Sequence, residues 1–351
     1  GATILGCGGG GSPEWGRSIL LRDLEKGVEL KIVSYDELPE DKLVACAYFC
    51  GPIAPPNSRR RRSRGNPGYI EKALETVKEF IGELGGVIPT EIGGGNTATA
   101  LHVAGLLGVP LVDADVVGRS VPELIHNSFI VYGRKIVPAI LSSSKGDLLF
   151  IKDYSSVDTY EKLARSLSVI SNGDVFVIDS IVPVKRAKEI TVKESISKAL
   201  KLGKIVYDYS GDITYLINKL LEVLEGFLIF KGELTEINLE VKEGFLEGFY
   251  MVKGVEEYHG SLLRIWVKNE NMMAWKDDKP VVMTPDLIIL LDEKGRGVVN
   301  SRLKPGMKVY VIGAKAPSIW RTEKGLELLG PKHFGFNYDY IPVEDLVALM
   351  R

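Results

Sequence analysis

GVIPTEIGGGNTATALHVAGLLGVPLVDAD, residues 86–115, carries the pattern that decides the fold: a strand, a glycine turn, a helix and a second strand. The apolar segments GVIPTEI and VPLVDAD at its two ends are typical of short buried strands. Between them, Asn96 to Leu107 has the composition of a helix that follows a glycine-rich turn. Strands that alternate with helices favour a parallel sheet with helices on both faces. We therefore expect an α/β unit around this stretch.

The same alternation extends toward the start of the chain. Ser12 and Pro13 are typical of a helix N-terminus, so a helix is expected from there through Lys26. An amphipathic helix is expected from Tyr69 to Leu84, because its apolar positions recur at helical spacing. Three more strands are predicted in this half: ATILG before a run of glycines, VELKIVSYDEL and LVACAYFCG.

The pattern changes in the second half. Helices are predicted at 159–171, 191–202 and Ile213 to Leu224, with the strand VFVIDSIVPV between the first two. From Phe227 to about Lys315, short strands follow one another without helices, which indicates an antiparallel, barrel-like domain. The predicted fold class is therefore α/β plus β: an N-terminal three-layer α/β domain with a mainly parallel sheet, and a C-terminal antiparallel β-barrel-like domain.

These patterns divide the chain into four parts, with the expected active site in the first. They are an α/β domain at 1–165, connecting helices and a strand at 166–226, a β-rich domain at 227–335, and a C-terminal segment at 336–351 that packs back.

Composition excludes several classes of protein. The 351 residues include 44 Lys and Arg against 46 Asp and Glu, so no general positive charge is available to bind nucleic acid or an anionic membrane. No run of about 18 apolar residues occurs, and GATILGCGGGG lacks the basic region of a signal peptide, so neither a membrane span nor secretion is expected. Three cysteines without CxxC spacing favour the reducing cytoplasm. The absence of glutamine favours a heat-adapted source.

The glycine run near the start has two interpretations. Gly6, Gly8 and Gly11 match G-x-G-x-x-G, and Asp36 could then hold a ribose. Four successive glycines also match such patterns by chance, and they could form a tight turn that lets any ligand approach. No nucleotide is expected on so weak a signal.

Acidic residues follow two predicted strands at the sheet edge where ligands bind in α/β folds. Glu91 ends one strand, and Asn96 could either cap the next helix or contact a ligand. Asp113 and Asp115 are two apart, so on a strand they point to one face. They could hold a divalent ion, or one could act as a general base while the other pairs with Arg119. The alternative is a salt-bridged strand end, so the metal stays unknown.

Cysteines and histidines give weaker signals. Cys7 and Cys50 lie at predicted strand ends, where each could enter the pocket or pack as a small apolar residue. A helix N-terminus would lower the pKa of Cys7, whereas Cys46 is expected to be structural. The four histidines have no metal-binding spacing, so no zinc motif is predicted.

Two further segments are unusual for surface loops. Asn269, Glu270 and Asn271 would be polar groups between apolar strands, where they either bridge the domains or face a ligand. Arg59–Arg62 with Arg64 form a basic run that is either a solvated loop or a cover for an anionic ligand.

Taken in order, GCGGGGSP, EIGGGN, PLVDADVVGRSVPE, KNENMMAW, PDLIILLD and GPKHFGFNYDY resemble the S-methyl-thiohydantoin desulfurase family over nearly the whole chain. The chain departs from the usual pattern at Val116-Val117, where the family has Gly-Met, and in the length of its arginine-rich link. The resemblance implies a three-layer α/β domain followed by a β-barrel-like domain. It also implies hydrolysis of an S-methyl-thiohydantoin to a hydantoin and methanethiol, beside hydantoinase and oxoprolinase enzymes.

This chemistry suggests roles for the residues above. A carboxylate such as Asp115 could activate water, and Arg119 or backbone N–H groups of the glycine turns could stabilise the developing anion. The expected catalytic residues are Asp115, Asp113, Arg119 and Glu91. The expected substrate-binding residues are Gly8, Gly9, Gly10, Gly94, Asn96, Glu123, Asn269 and Glu270.

Other functions remain open on the sequence. The main alternative is a non-catalytic ligand-binding or accessory subunit of a hydantoinase, and a nucleotide-dependent enzyme is less favoured. A nucleic-acid binder would rest on five arginines alone. The expected partners are a small cyclic amide, further copies of this chain and a hydantoinase or oxoprolinase enzyme.

Overall fold

The computed structural model describes residues 1–51 and 68–349, so the arginine run at 59–64 lies outside the described residues. Within those residues no helix is long and apolar enough to cross a bilayer. The helices are α1 (Ala2–Leu5), α2 (Pro13–Glu25), α3 (Tyr69–Phe80), α4 (Asn96–Leu107), α5 (Ser128–Val131), α6 (Val157–Ser171), α7 (Val184–Ile190), α8 (Ser195–Tyr207), α9 (Ile213–Leu224), α10 (Glu323–Leu329) and α11 (Val343–Leu349). The strands are β1 (Ile32–Val33), β2 (Leu43–Cys50), β3 (Leu84–Ile88), β4 (Leu111–Val112), β5 (Ala114–Asp115), β6 (Ala139–Ser143), β7 (Leu148–Ile151), β8 (Val175–Pro183), β9 (Val192–Lys193), β10 (Gly226–Lys242), β11 (Phe245–Gly254), β12 (Leu262–Lys268), β13 (Glu270–Lys276), β14 (Lys279–Met283), β15 (Leu287–Leu291) and β16 (Lys308–Ala314).

The first sheet is mixed, which corrects the prediction of a mainly parallel sheet. Its order is β1-β4-β3-β2-β8-β6-β7. The strands β1, β4, β3 and β2 are parallel, and α3 and α4 lie between successive parallel strands in the chain, as parallel pairing requires. The other three pairings are antiparallel. After β4, strand β5 pairs with β9 outside this sheet. The chain then re-enters the sheet as β6, which pairs antiparallel with β8.

The second sheet is antiparallel throughout, as the run of short strands predicts. Its order is β14-β13-β12-β11-β10-β16-β15, and it curls into a half-barrel in which β13 approaches β15. The long strand β10 pairs with β11 on one side and β16 on the other, with a bulge in each pairing. Bulges increase local twist, which helps a sheet to curl around a core.

The two earliest strand predictions are wrong in different ways. ATILG forms α1, which packs against α8 and β15 and not into a sheet. Periodicity cannot distinguish a helix from a strand in so short an apolar run. In VELKIVSYDEL only β1 is extended, and a 3₁₀ helix follows at Tyr35–Glu37, closed by a capping box between Ser34 and Glu37.

Buried hydrogen bonds join the two halves of the fold. The Arg119 guanidinium is wholly buried and donates to the carbonyl oxygens of Asn271, Pro285 and Asp286. The indole N–H of Trp320 donates to the Val117 carbonyl at 2.7 Å. These contacts hold the segment after β5 against the half-barrel.

Candidate active site

The two glycine turns predicted to share a pocket lie against each other. The N–H groups of Gly95 and Asn96 both donate to the Gly10 carbonyl, at 2.8 and 3.1 Å. Gly10 has φ +75°, and a Cβ there would lie 2.4 Å from the Cα of Gly93. Only glycine permits this close approach, because any side chain would separate the two turns.

Backbone hydrogen bonds hold the glycine run against the half-barrel as well. The Asn271 N–H donates to the Cys7 carbonyl at 2.8 Å, and the Asn300 N–H donates to the Gly8 carbonyl at 2.7 Å. The glycine run therefore lies between the β3–α4 turn and the second sheet.

Glu91 lies beneath these turns with one hydrogen bond to each carboxylate oxygen. Oε1 accepts from the side-chain amide of Asn96 at 2.8 Å, and Oε2 accepts from the N–H of Val121 at 2.9 Å. Burial raises the pKa of Glu91 to about 7, although the hydrogen bonds and the nearby Arg119 charge oppose the rise. With a pKa of about 7, the Glu91 carboxyl group can either accept or donate a proton near neutral pH.

Glu270 comes from the half-barrel and faces the same space. It follows Asn269, whose φ of +56° turns the chain between β12 and β13, and whose Oδ1 accepts from the Leu246 N–H. The Glu270 side chain is 2% exposed, and its Oε2 has no hydrogen-bond partner among residues 1–51 and 68–349. Burial, together with the charge of Glu91, raises the pKa of Glu270 well above its ordinary value.

A cavity of about 1200 Å³ connects these groups. Both halves of the fold form its wall, because the glycine run, β2, the β3–α4 turn, α6 and the β12–β13 turn all contribute. Of the predicted site residues, the structure places these in the lining: Gly8, Gly9, Gly10, Glu91, Asn96, Glu123, Asn269 and Glu270.

A second polar group contains Glu123 and His126, which line the cavity, and His333, which contacts Glu123 from outside the lining; we call it the Glu–His cluster. The His333 Nε2 lies 2.9 Å from Glu123 Oε2, and the His126 Nε2 lies 3.8 Å from the same oxygen. Lys268 pairs with the other oxygen of Glu123. Burial alone would raise the pKa of Glu123, but hydrogen bonds from His333 and Lys268 and the His126 ring hold it well below its usual range. Burial lowers the pKa of His126 to about 3, so its ring is neutral.

The predicted catalytic aspartates lie elsewhere. Asp113, Asp115 and Arg119 are outside the lining that the described residues form. Asp113 accepts hydrogen bonds from the N–H groups of Ile196 and Ser197, at the N-terminus of α8. Asp115 is wholly buried, and its Oδ2 accepts from the N–H groups of Val117 and Gly118 at 2.9 and 2.6 Å. Burial raises the pKa of Asp115 to about 7. The structure thus shows both aspartates ordering local backbone.

The structure shows the local contacts of two of the predicted substrate-binding residues. Gly94 lies outside the described lining and packs on the first turn of α2, where a Cβ would lie 2.8 Å from the Pro13 Cβ. Asn96 does not cap α4, because the N-cap position is Gly95. Its side chain instead joins Glu91 to the N–H of Phe49, from which it accepts at 3.4 Å.

The cysteine interpretations are resolved by burial. Cys7 is wholly buried and donates to the Leu5 carbonyl, and burial raises its pKa where a lowered one was expected. Cys46 is also buried, as expected for a structural cysteine. Cys50 does line the cavity, but burial raises its pKa to about 12, so it is a thiol at neutral pH.

The fingerprint interpretation of the glycine run loses its structural context. The residues before the run form α1, whereas the fingerprint requires a strand at that place. Asp36 is exposed on a 3₁₀ helix and pairs with Lys188.

The Glu–His cluster was missed from the sequence. Glu123 and His126 are three positions apart, which is a weak signal by itself. His333 is 210 positions beyond Glu123 and reaches it from a 3₁₀ helix after β16. Another of the four histidines, His102, lies on α4 and bonds Asp23 at 2.7 Å.

Two comparisons with known proteins, one with family models and one with solved structures, cover nearly the whole chain. The family model described as "S-Me-THD-like, N-terminal domain" matches residues 1–153, and "S-Me-THD-like, C-terminal domain" matches residues 155–343. An X-ray crystal structure of a protein from Chromobacterium violaceum, a structural genomics target, is similar in fold with a TM-score of 0.77. It is 21% identical, and the match covers 97% of this chain and 96% of that one. No curated protein matched the sequence. The two family matches together show that the chain belongs to the S-Me-THD-like family, that of S-methyl-thiohydantoin desulfurase.

Proposed function

We propose that this protein hydrolyses the exocyclic carbon–sulfur bond of an S-methyl-thiohydantoin. The family name supports this class of reaction. The observation that carries it to this chain is the pair of buried carboxyl groups, Glu91 and Glu270, in a cavity between the two sheets. The cavity volume of about 1200 Å³ accommodates a five-membered ring with a substituent.

The reaction needs a base and an acid in turn. Water adds to the ring carbon that bears the methylthio group, a base takes one water proton, and the electron pair of the C=N bond moves to the ring nitrogen, which is protonated. The carbon–sulfur bond then breaks with its electron pair on sulfur. The thiolate gains a proton as the carbonyl forms. One water is consumed, and the products are hydantoin and methanethiol.

The two carboxyl groups suit these two tasks because their environments differ. Hydrogen bonds from Asn96 and Val121 stabilise the ionised form of Glu91, which favours it as the base. Glu270 is buried beside that charge, and both features favour its protonated form, the acid. Neighbouring titratable groups with different proton affinities are a recurring acid–base arrangement.

Carboxamides in the wall suit the ring's amide edge. Asn96 lines the cavity from the first half of the chain, and Asn269 lines it from the second half. Each is held through its Oδ1, which accepts from a backbone N–H. A fixed amide can recognise a planar ring that carries both N–H and carbonyl groups.

The test is an assay of both possible products. The protein is incubated with an S-methyl-thiohydantoin, free thiol is measured with a chromogenic reagent, and ring products are separated by chromatography. We expect equal amounts of thiol and intact hydantoin. Binding measured by calorimetry without thiol release would instead support the accessory-subunit alternative, and a ring-opened product would contradict displacement at the exocyclic bond.

A further inference from the structure

The Glu–His cluster has the composition of a metal site. The reaction proposed above uses Glu91 and Glu270 and does not require a metal. We propose that Glu123, His126 and His333 bind one Zn²⁺ ion at the cavity wall. Two histidines and one carboxylate are a known zinc ligand set. Three donor atoms lie close together beside the cavity, and one of them is deeply buried.

The three donor atoms already converge. The Glu123 oxygen and the two histidine nitrogens all lie within 4.8 Å of one another. The His126 and His333 rings are edge to face, with centroids 5.0 Å apart. Tetrahedral zinc with bonds of about 2.0–2.1 Å separates its ligand atoms by about 3.3 Å, so small side-chain movements suffice.

Burial and charge prepare the donors. His126 is 1% exposed, and its Nε2 has no hydrogen-bond partner in the described part of the chain. Lys268 holds Oε1 of Glu123 and leaves Oε2 to the histidines.

Binding requires one proton to move. The His126 Nδ1 accepts from the Glu123 N–H at 3.3 Å, which places the ring proton on Nε2. Zinc would take the Nε2 lone pair, and the proton would shift to Nδ1. This sacrifices one long hydrogen bond, which is weak compared with a zinc–imidazole bond.

Three protein ligands leave the fourth position of a tetrahedral ion open. Glu123 and His126 line the cavity, so this position can reach the ligand space. Catalytic zinc sites keep such a position for water or substrate, and zinc also binds thiolates. A contact with the sulfur of the leaving group rests on the proposed function, whereas zinc binding itself does not.

The decisive experiment measures metal binding without substrate. Chelator-treated full-length protein is titrated with ZnCl₂ by calorimetry, and with CoCl₂ while the visible absorption of tetrahedral Co²⁺ is recorded. We expect one ion per chain and an affinity at least 100-fold weaker in His333→Asn. The exposed His259 provides the matched control, and His259→Asn should bind like the parent.

His126→Asn is the second ligand variant. If His126→Asn does not fold, the zinc affinity of His333→Asn alone tests the site. Absence of stoichiometric Zn²⁺ binding, or equal affinity in His333→Asn, would overturn the site. Because no turnover is measured, either result leaves the thiol-release assay to judge the reaction separately.

Discussion

Glu270 combines three properties that rarely meet in one side chain: near-complete burial, an oxygen unpaired within the described residues, and a place in a cavity wall. Burying such a group costs stability, so it persists where function needs it. We expect Glu270→Gln and Glu91→Gln each to lower kcat for thiol release by about 10²–10⁴, the usual contribution of general acid–base groups. Circular dichroism checks that both variants fold.

The matched control for these variants is Glu257→Gln, at an exposed glutamate of the half-barrel. It should release thiol at the parent rate. A Glu270→Gln variant that folds and keeps full activity would contradict the proposed role of Glu270 as the acid.

The pH dependence follows from the same pair. The base must be ionised, and the pKa of Glu91 is about 7, so kcat/KM should rise as pH increases through about 7. At higher pH the rate should fall when Glu270 loses its proton, because its pKa is raised further. The pH–rate profile of thiol release measures both limbs. An acid limb near 4.5, the ordinary value for glutamate, would contradict the role of Glu91.

Asp115 should affect stability and leave turnover intact. Its pKa rises from an ordinary 3.8 to about 7 on folding, so the folded state binds the extra proton between these values. Stability from this group is therefore present at low pH and lost as pH rises from about 4 to 7, by about 2–4 kcal/mol. Asp115→Asn should show a smaller loss in denaturant titrations across that range. Loss of turnover in a folded Asp115→Asn protein would instead favour the sequence-based prediction that Asp115 activates water.

At the scale of elements, the close approach of the glycine run to β13 makes a sharp test. A Cβ on Gly9 would lie 1.8 Å from Glu270 Oε1. The backbone of Gly9 is not in the left-handed region, so Gly9→Ala should displace the carboxylate and disturb little else. We expect kcat for thiol release to fall at least about 10-fold, with Tm changed by only a few degrees.

Gly173→Ala is the control for that substitution. Gly173 also lines the cavity, but a Cβ there meets only Ser144 Oγ at an ordinary 3.4 Å. Equal activity in the two alanine variants would show that the position of the Glu270 carboxyl is unimportant.

Element boundaries show where sequence patterns suffice. The predictions of α4 and α9 are confirmed to the residue, and α2 begins as predicted, with Ser12 accepting from the Trp15 N–H. These helices are long enough for spacing and caps to be informative. By contrast, α1 has only four residues and packs against α8 and β15, contacts with distant parts of the chain that no local pattern records.

For the whole molecule, Arg119 is a buried link between the segment after β5 and the half-barrel. Its guanidinium satisfies buried carbonyl oxygens of the half-barrel, including those of Asn271 and Asp286, so Arg119→Leu leaves them unpaired. We expect a loss of about 3–5 kcal/mol in the free energy of unfolding, measured by denaturant titration. Arg296→Leu, at an exposed position, should change it by no more than about 0.5 kcal/mol. If Arg119→Leu and Arg296→Leu lower the free energy of unfolding by similarly small amounts, Arg119 does not have this structural role.

The candidate site combines residues that local sequence patterns reveal with residues that only the folded chain brings together. Glu91, Asn96 and Glu270 are identifiable because polar residues beside glycine turns or between apolar strands stand out locally. The partnership of Glu123 with His333 depends on how the last segment folds back over 210 positions, and no spacing rule encodes it. Asp113 and Asp115 attract attention for the same local reason as Glu91, yet they order the backbone around α8 and the segment after β5.

We have proposed that Glu270 and Glu91 act as the acid and the base for hydrolysis in the cavity between the sheets. The most direct test of this proposal is thiol release from an S-methyl-thiohydantoin in H₂¹⁸O, with parent protein and Glu270→Gln compared at pH 7. We expect one methanethiol per hydantoin, ¹⁸O in the new carbonyl, and at least about 100-fold slower release by the variant. Absence of thiol release by the parent protein, or undiminished release by a folded Glu270→Gln variant, would contradict the proposal.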